Sequence, residues 1–268
     1  HKSVFHSRGD GAPKFCLLCN NLFDHESEIP AEDGTNLLTS NVIKWNGLVP
    51  ASSKEVRHRA RYLEKKCGTI PPDEFIVLQQ SLGMTHHKHA LLLDRYLDAF
   101  FDPVEVYMHD WMHALCVDGV CNLVIYLLFE SFIDQGHANI YEVCSTYVAN
   151  WRWPMRVNSA NLAGIFAEAR RDRHRAARHI KCQASDMLYL IRVAALFTQQ
   201  VLMNIPNIDC RAQCAAWLAL ADLMDLITAT AWITVSPARL LKAVENFLEL
   251  FVAAYGFSWM TPKFHWLL

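Results

Sequence analysis

A mainly α chain with a small α/β part is predicted, and three observations predict it. From about residue 111 onward the chain is a succession of helical stretches punctuated by Pro154, Pro206 and Pro237. Just before them, Val104, Val106 and Met108 alternate after Pro103 and read as a short strand leading into Asp110. The first 35 or so residues carry Gly, Pro, Asp and Cys in quick succession and read as loop-rich, after a short strand ending near Phe5. With 268 residues, 52% of them hydrophobic, the chain has ample material for a sizeable core, as one large domain or two small ones.

The elements follow in order. Ser52-Ser-Lys-Glu55 has the spacing of a capping box, and a charged helix is expected over 55–66. Pro71 and Pro72 break it, and 73–82 reads as a second short helix. The apolar run 111–132 has few breakers and reads as one buried helix. Further helices are expected over 138–150, 159–181, 184–203, 209–232 and 236–255. The longest apolar segment, 215–235, is interrupted by Asp222 and Asp225. Their i, i+3 spacing marks one polar stripe on a mostly buried helix rather than a membrane span.

Charge and cysteine content narrow the chemistry. Lys and Arg number 25 against 27 Asp and Glu, so any nucleic-acid surface must be a local patch. Nine cysteines, scattered and with no signal peptide ahead of them, point to a reducing, intracellular setting with free thiols or metal ligands. The sequence opens on His1 and stops within the hydrophobic run Trp266-Leu-Leu268, and both ends read as cuts inside a longer protein.

Four motifs could carry chemistry. Cys16-x-x-Cys19 supplies half of a tetrahedral zinc site. Two unrelated buried cysteines would look the same. A redox dithiol would need a βαβ setting, which is missing. Asp110 and His113, at i, i+3, could share a divalent metal, or Asp110 could cap a helix beside a satisfied histidine. His265, in Pro262-Lys-Phe-His265, is either a packed histidine or a partner for the two cysteines. Arg171, Arg175 and Arg178 fall at i, i+4, i+7, and Arg170, Arg173 and Lys181 widen that stripe. Such a stripe suits a phosphate backbone, or is simply a solvated face. His86, His87 and His89 read as surface residues of a loop.

The order of these motifs resembles a family. Gly9-Asp10 and the CxxC come first, then Asp110-Trp-Met-His113 with Val117-Asp-Gly-Val-Cys-Asn122 behind it, then Pro262-Lys-Phe-His265. The arrangement is similar to eukaryotic DDE/D transposases with an RNase H-like core, nearest the CACTA-like and Plavaka-like group. The resemblance spans nearly the whole chain, on short motifs.

It implies a partial RNase H-like core at 1–115, a helical insertion at 116–255, and a return to the core at 256–268. It implies Asp10 as a catalytic acid, with Asp110 and His113 as the D(2)H motif. It implies zinc on Cys16, Cys19 and His265, completed by a second histidine just after Leu268. The first and third catalytic acids would lie outside the chain. Mg²⁺ or Mn²⁺ at the acids would perform two-metal DNA cleavage and strand transfer. Soft thiolates suit zinc instead. Transposon-end DNA would be the partner, with Arg170, Arg171, Arg175, Arg178 and Lys181 facing it. The setting would be nuclear, away from membranes, and the assembly a homo-oligomer. The competing readings are a non-catalytic zinc-stabilised helical module, a decayed or domesticated remnant, and a metal-dependent hydrolase using Asp110 and His113.

Overall fold

A computed structural model describes residues 14–23, 42–94 and 96–268. These residues are mostly helical and form no sheet; an isolated antiparallel bridge pairs Cys19 with Pro50. The expected α/β part is therefore not seen among them. The strand expected near Phe5 lies outside the described residues, as does Asp10.

The chain divides into two compact units. The first comprises the described residues up to His109 together with Met260–Trp266; the second comprises Asp110–Trp259 with Leu267–Leu268. The first is thus built from two separated stretches of sequence.

In the first unit, helix α1 (Ser53–Lys66) starts as its capping box dictates. The Ser52 side chain accepts from the Glu55 N–H, and the Glu55 carboxylate accepts from the Ser52 N–H at 2.6 Å. Its apolar positions Val56, Ala60 and Leu63, at i, i+4, i+7, are buried against Leu17, Ala51, Met84, Leu92 and Tyr107. Helix α2 (Pro72–Leu82) begins on a proline and ends at Gly83 in the left-handed region, φ 67°. Glycine is required there twice over: a Cβ would also stand 1.9 Å from the Lys14 carbonyl oxygen. Helix α3 (Pro103–Val106) replaces the expected strand. Asp102 caps it, accepting from the Val104 and Glu105 N–H groups at 2.9 and 3.1 Å, with Pro103 at the first helical position. An Asp-Pro helix start outweighed the Val-x-Val-x-Met alternation.

The second unit starts with the short helix α4 (Trp111–Leu115), followed by α5 (Val120–Asp134), α6 (Ile140–Asn150), α7 (Ser159–Ile165), α8 (Glu168–Ala177), α9 (Ala184–Gln200), α10 (Arg211–Ala229) and α11 (Pro237–Tyr255). Every residue of α5 from Val120 to Phe129 is buried, and α4, α6, α9 and α10 pack around it. Helices α10 and α11 lie along one another, joined by a loop ending in Ser236, which caps α11, and Pro237 at its first position. Asp222 and Asp225 are exposed on α10 as the sequence suggests, and Asp225 pairs with Arg192 at 2.8 Å.

Two expected helices are each split. The run 111–132 is interrupted at Asp118, which is left-handed at φ 46°, and at Gly119. A Cβ on Gly119 would stand 2.5 Å from the Ala114 carbonyl oxygen, so the chain can double back on α4 only with glycine there. The stretch 159–181 is divided into α7 and α8 by the extended Ala167. Both Trp111–Asp134 and Arg211–Ala229 are long and apolar enough by composition to cross a membrane. In the first, that apolarity is accounted for by a core position and a broken helix.

Candidate metal centre

The CxxC turn is held from three sides. The backbone of 18–20 runs against 49–51: the Asn20 N–H donates to the Val49 carbonyl at 2.7 Å, and the Ala51 N–H to the Leu18 carbonyl at 2.9 Å. Asn21, fully buried, accepts from the Val49 N–H at 2.7 Å and donates to the Gly47 carbonyl at 3.2 Å. Lys14 folds inside the turn, and its buried ammonium donates to the carbonyls of Cys16, at 3.0 Å, and Cys19. Burial lowers the Lys14 pKa to about 8, although the neighbouring Cys19 opposes the shift.

Helix α12 (Pro262–His265) brings the third side chain from the far end of the sequence. His265 Nε2 lies 3.2 Å from Cys19 Sγ across 246 residues. The ring is fixed edge-on against Phe15, centroids 5.0 Å apart. Donor atoms of Cys16, Cys19 and His265 all lie within 4.8 Å of one another, and all three residues are buried. Bonds of about 2.3 Å to sulfur and 2.0–2.1 Å to nitrogen at tetrahedral angles put a sulfur–nitrogen edge at about 3.5 Å. Among the described residues the buried Nδ1 of His265 finds no hydrogen-bond partner, which leaves polar capacity for a bound group. Two thiols and an imidazole are a soft donor set, and they fit zinc.

The electrostatics agree with metal binding more than with redox exchange. The hydrogen bond from Cys19 holds the Cys16 thiol well below its ordinary range, helped by His109 and His265. Cys19 is pushed up in return, so the pair keeps one proton that a metal would displace. Neither sulfur is accessible, whereas an exchanging dithiol must meet its partner.

His109 is the residue that sequence reasoning missed. Its Nε2 lies 3.5 Å from Cys16 Sγ, and its ring stacks on Trp266 at 4.8 Å and meets Tyr107 edge-on at 5.0 Å. The only local signal was its place next to Asp110.

The other predicted residues lie elsewhere. Asp110 caps α4, accepting from the Met112 and His113 N–H groups at 2.9 and 3.3 Å. Its second oxygen meets His113 Nδ1 at 2.6 Å. Partial burial raises the Asp110 pKa, but hydrogen bonds from His113 outweigh it and leave the carboxyl below the usual range. Asp110 and His113 thus meet each other, and no cluster of histidines forms around them among the described residues. That removes the support for the hydrolase reading.

The stripe 170–181 is largely engaged within its own unit. Arg175 pairs with Glu130 at 3.2 Å, and Lys181 with Asp118 at 3.0 Å. Arg171 donates to the Ala138 carbonyl at 3.3 Å, and Arg178 lies 4.4 Å over the Trp259 ring. His174, between them, is fully buried. Arg170 and Arg173 are exposed. His86 packs edge-on against Phe75, while His87 and His89 are exposed.

Comparison of the chain with protein-family models, with curated proteins and with solved structures finds no match.

Proposed function

We propose that the chain is a region of a DNA transposase, with zinc bound by Cys16, Cys19 and His265. The observation that carries this reading is the meeting of those three residues. Local periodicity gives no reason for residues 16 and 265 to converge; the order of motifs shared with DDE/D transposases does. Zinc would be structural, joining the two stretches of sequence that make up the first unit. In the resemblance the fourth ligand is a second histidine four positions after His265; His109 stands at tetrahedral edge length from Cys16. Mg²⁺ or Mn²⁺ on the catalytic acids would supply the charge neutralisation for cleavage and strand transfer. Asp10 would be one of those acids, with an RNase H-like core around it.

A second reading, a non-catalytic zinc-stabilised helical module, is favoured by one observation. The Asp110 carboxylate is already committed to capping α4 and to His113.

One experiment separates them. The full-length parent is assayed for metal content and for Mg²⁺- or Mn²⁺-dependent cleavage and joining of DNA, as wild type, Asp10→Asn and Cys16→Ser. The transposase reading expects about one zinc per chain, activity in the wild type, none in Asp10→Asn with zinc retained, and zinc loss in Cys16→Ser. Zinc without cleavage supports the module instead. Absence of zinc from the wild type overturns both.

A further inference from the structure

The predicted basic stripe on α8 is largely consumed by internal contacts, yet another helix carries a cationic face that the fold leaves outside. Helix α1 holds six Lys and Arg residues against two Glu in 14 positions. One of those two, Glu55, is spent on the capping box and on Asn20. The buried stripe Val56, Ala60, Leu63 fixes how the helix is rolled. The opposite positions Lys54, His58, Arg61 and Lys65, at i, i+4, i+7, i+11, are all exposed. The half-buried Arg57 and Arg59 border that face, held by the Phe101 carbonyl and by Asn20.

An aromatic is set among the cations. Tyr62 is exposed, stacks with His58 at 6.5 Å and lies 5.7 Å beneath the Lys66 ammonium. Such a ring offers a flat apolar surface to a sugar or base beside a phosphate. Lys54 and Lys65 are eleven residues apart, about 16 Å along the helix axis. That length spans about five nucleotide steps of one strand of a duplex at 3.4 Å each.

We propose that the exposed face of α1 binds the phosphate backbone of duplex DNA without reading its sequence. The inference rests on the DNA-transposase reading for the choice of polyanion. It assigns the contact to α1 in place of α8. Phosphate contacts of this kind position a protein on the duplex and carry no base information.

The test uses the full chain, zinc-loaded, with a 30-base-pair duplex of arbitrary sequence. Affinity is measured over a series of salt concentrations for three proteins: the wild type, the triple variant Lys54→Gln/Arg61→Gln/Lys65→Gln, and the control Arg170→Gln/Arg173→Gln. Unchanged melting and zinc content show that the variants fold. Removal of three phosphate contacts should flatten the slope of log K against log salt by about 2.7, and weaken binding tenfold or more at low salt. The control should match the wild type. A triple variant with the wild-type slope overturns the α1 assignment and leaves the DNA reading standing. A folded wild type that ignores duplex, or that binds only phosphatidylserine vesicles, overturns the assignment. Loss of binding in the triple variant, beside a parent that never cleaves DNA, keeps the α1 surface and removes the transposase reading.

Discussion

At the scale of single residues, the buried histidine of α8 shows how position fixes a protonation state. His174 Nδ1 accepts from the Lys181 N–H at 2.9 Å, and Nε2 lies 2.8 Å from the Ile165 carbonyl oxygen, to which it must donate. Both ring nitrogens are spent in the neutral form. Burial therefore lowers the His174 pKa below 6.5, and the hydrogen bond to Ile165 only partly opposes this. Stability from this group is complete above pH 6.5 and is lost as pH falls toward the lowered value, because the unfolded chain takes up a proton first. The slope is at most about 1.4 kcal/mol per pH unit. Urea melts between pH 7 and 5 should show this loss, and His174→Gln should flatten it. An identical pH slope in the variant would assign the effect to other groups.

The metal site makes a second prediction at this scale. Cys19→Ser and His265→Ala should abolish tight Co²⁺ binding and its thiolate charge-transfer band. His109→Ala should weaken affinity by about 10–100-fold, as loss of a supporting contact to a metal ligand does. Little of this was legible locally. A CxxC announces two ligands, but the partners of Cys16 and Cys19 are set by tertiary folding. His265 was singled out only through a shared order of motifs, and His109 only by the structure.

At the scale of elements, local chemistry read well where caps and periodicity agreed. Ser52 and Glu55 announced α1, and Pro237 announced α11. Reading failed where a short turn signal lay inside an apolar run. Asp118-Gly119 is such a signal, overridden by the hydrophobicity on both sides of it. What that turn does explains why it is there. Asp118 meets His179 at 2.9 Å and Lys181 at 3.0 Å. Asn122, fully buried in the first turn of α5, accepts from the Gly119 N–H at 3.2 Å and donates to the Ile180 carbonyl at 2.8 Å. The turn thus clamps the segment that leaves α8. Asn122→Ala would strand a buried carbonyl and a buried N–H and should cost about 2–3 kcal/mol. The urea midpoint should fall at constant m; a cost under about 0.5 kcal/mol would show that water replaces the amide.

At the scale of the whole molecule, the first unit is discontinuous, and its two hydrophobic clusters draw on different parts of the chain. The one under α1 uses only residues that precede Asp110. The one at the metal centre, with Phe15, Cys16 and Cys19, needs Trp266. Chelation should accordingly speed amide hydrogen exchange at residues 15–20 and 261–266 and leave α5 and α10 at their original rates. Uniform acceleration would mean that the metal stabilises both units as one cooperative body.

This partition carries a consequence for biosynthesis. On the ribosome, residues 110–259 are made as one uninterrupted stretch, and the cluster under α1 has all its members before they begin. The Phe15 and Cys16 cluster does not, and its cysteines must wait some 246 residues for His265. During that delay two closely spaced thiols have no imidazole to share a metal with. Nascent chains should therefore bind zinc late, in a single step that coincides with emergence of α12.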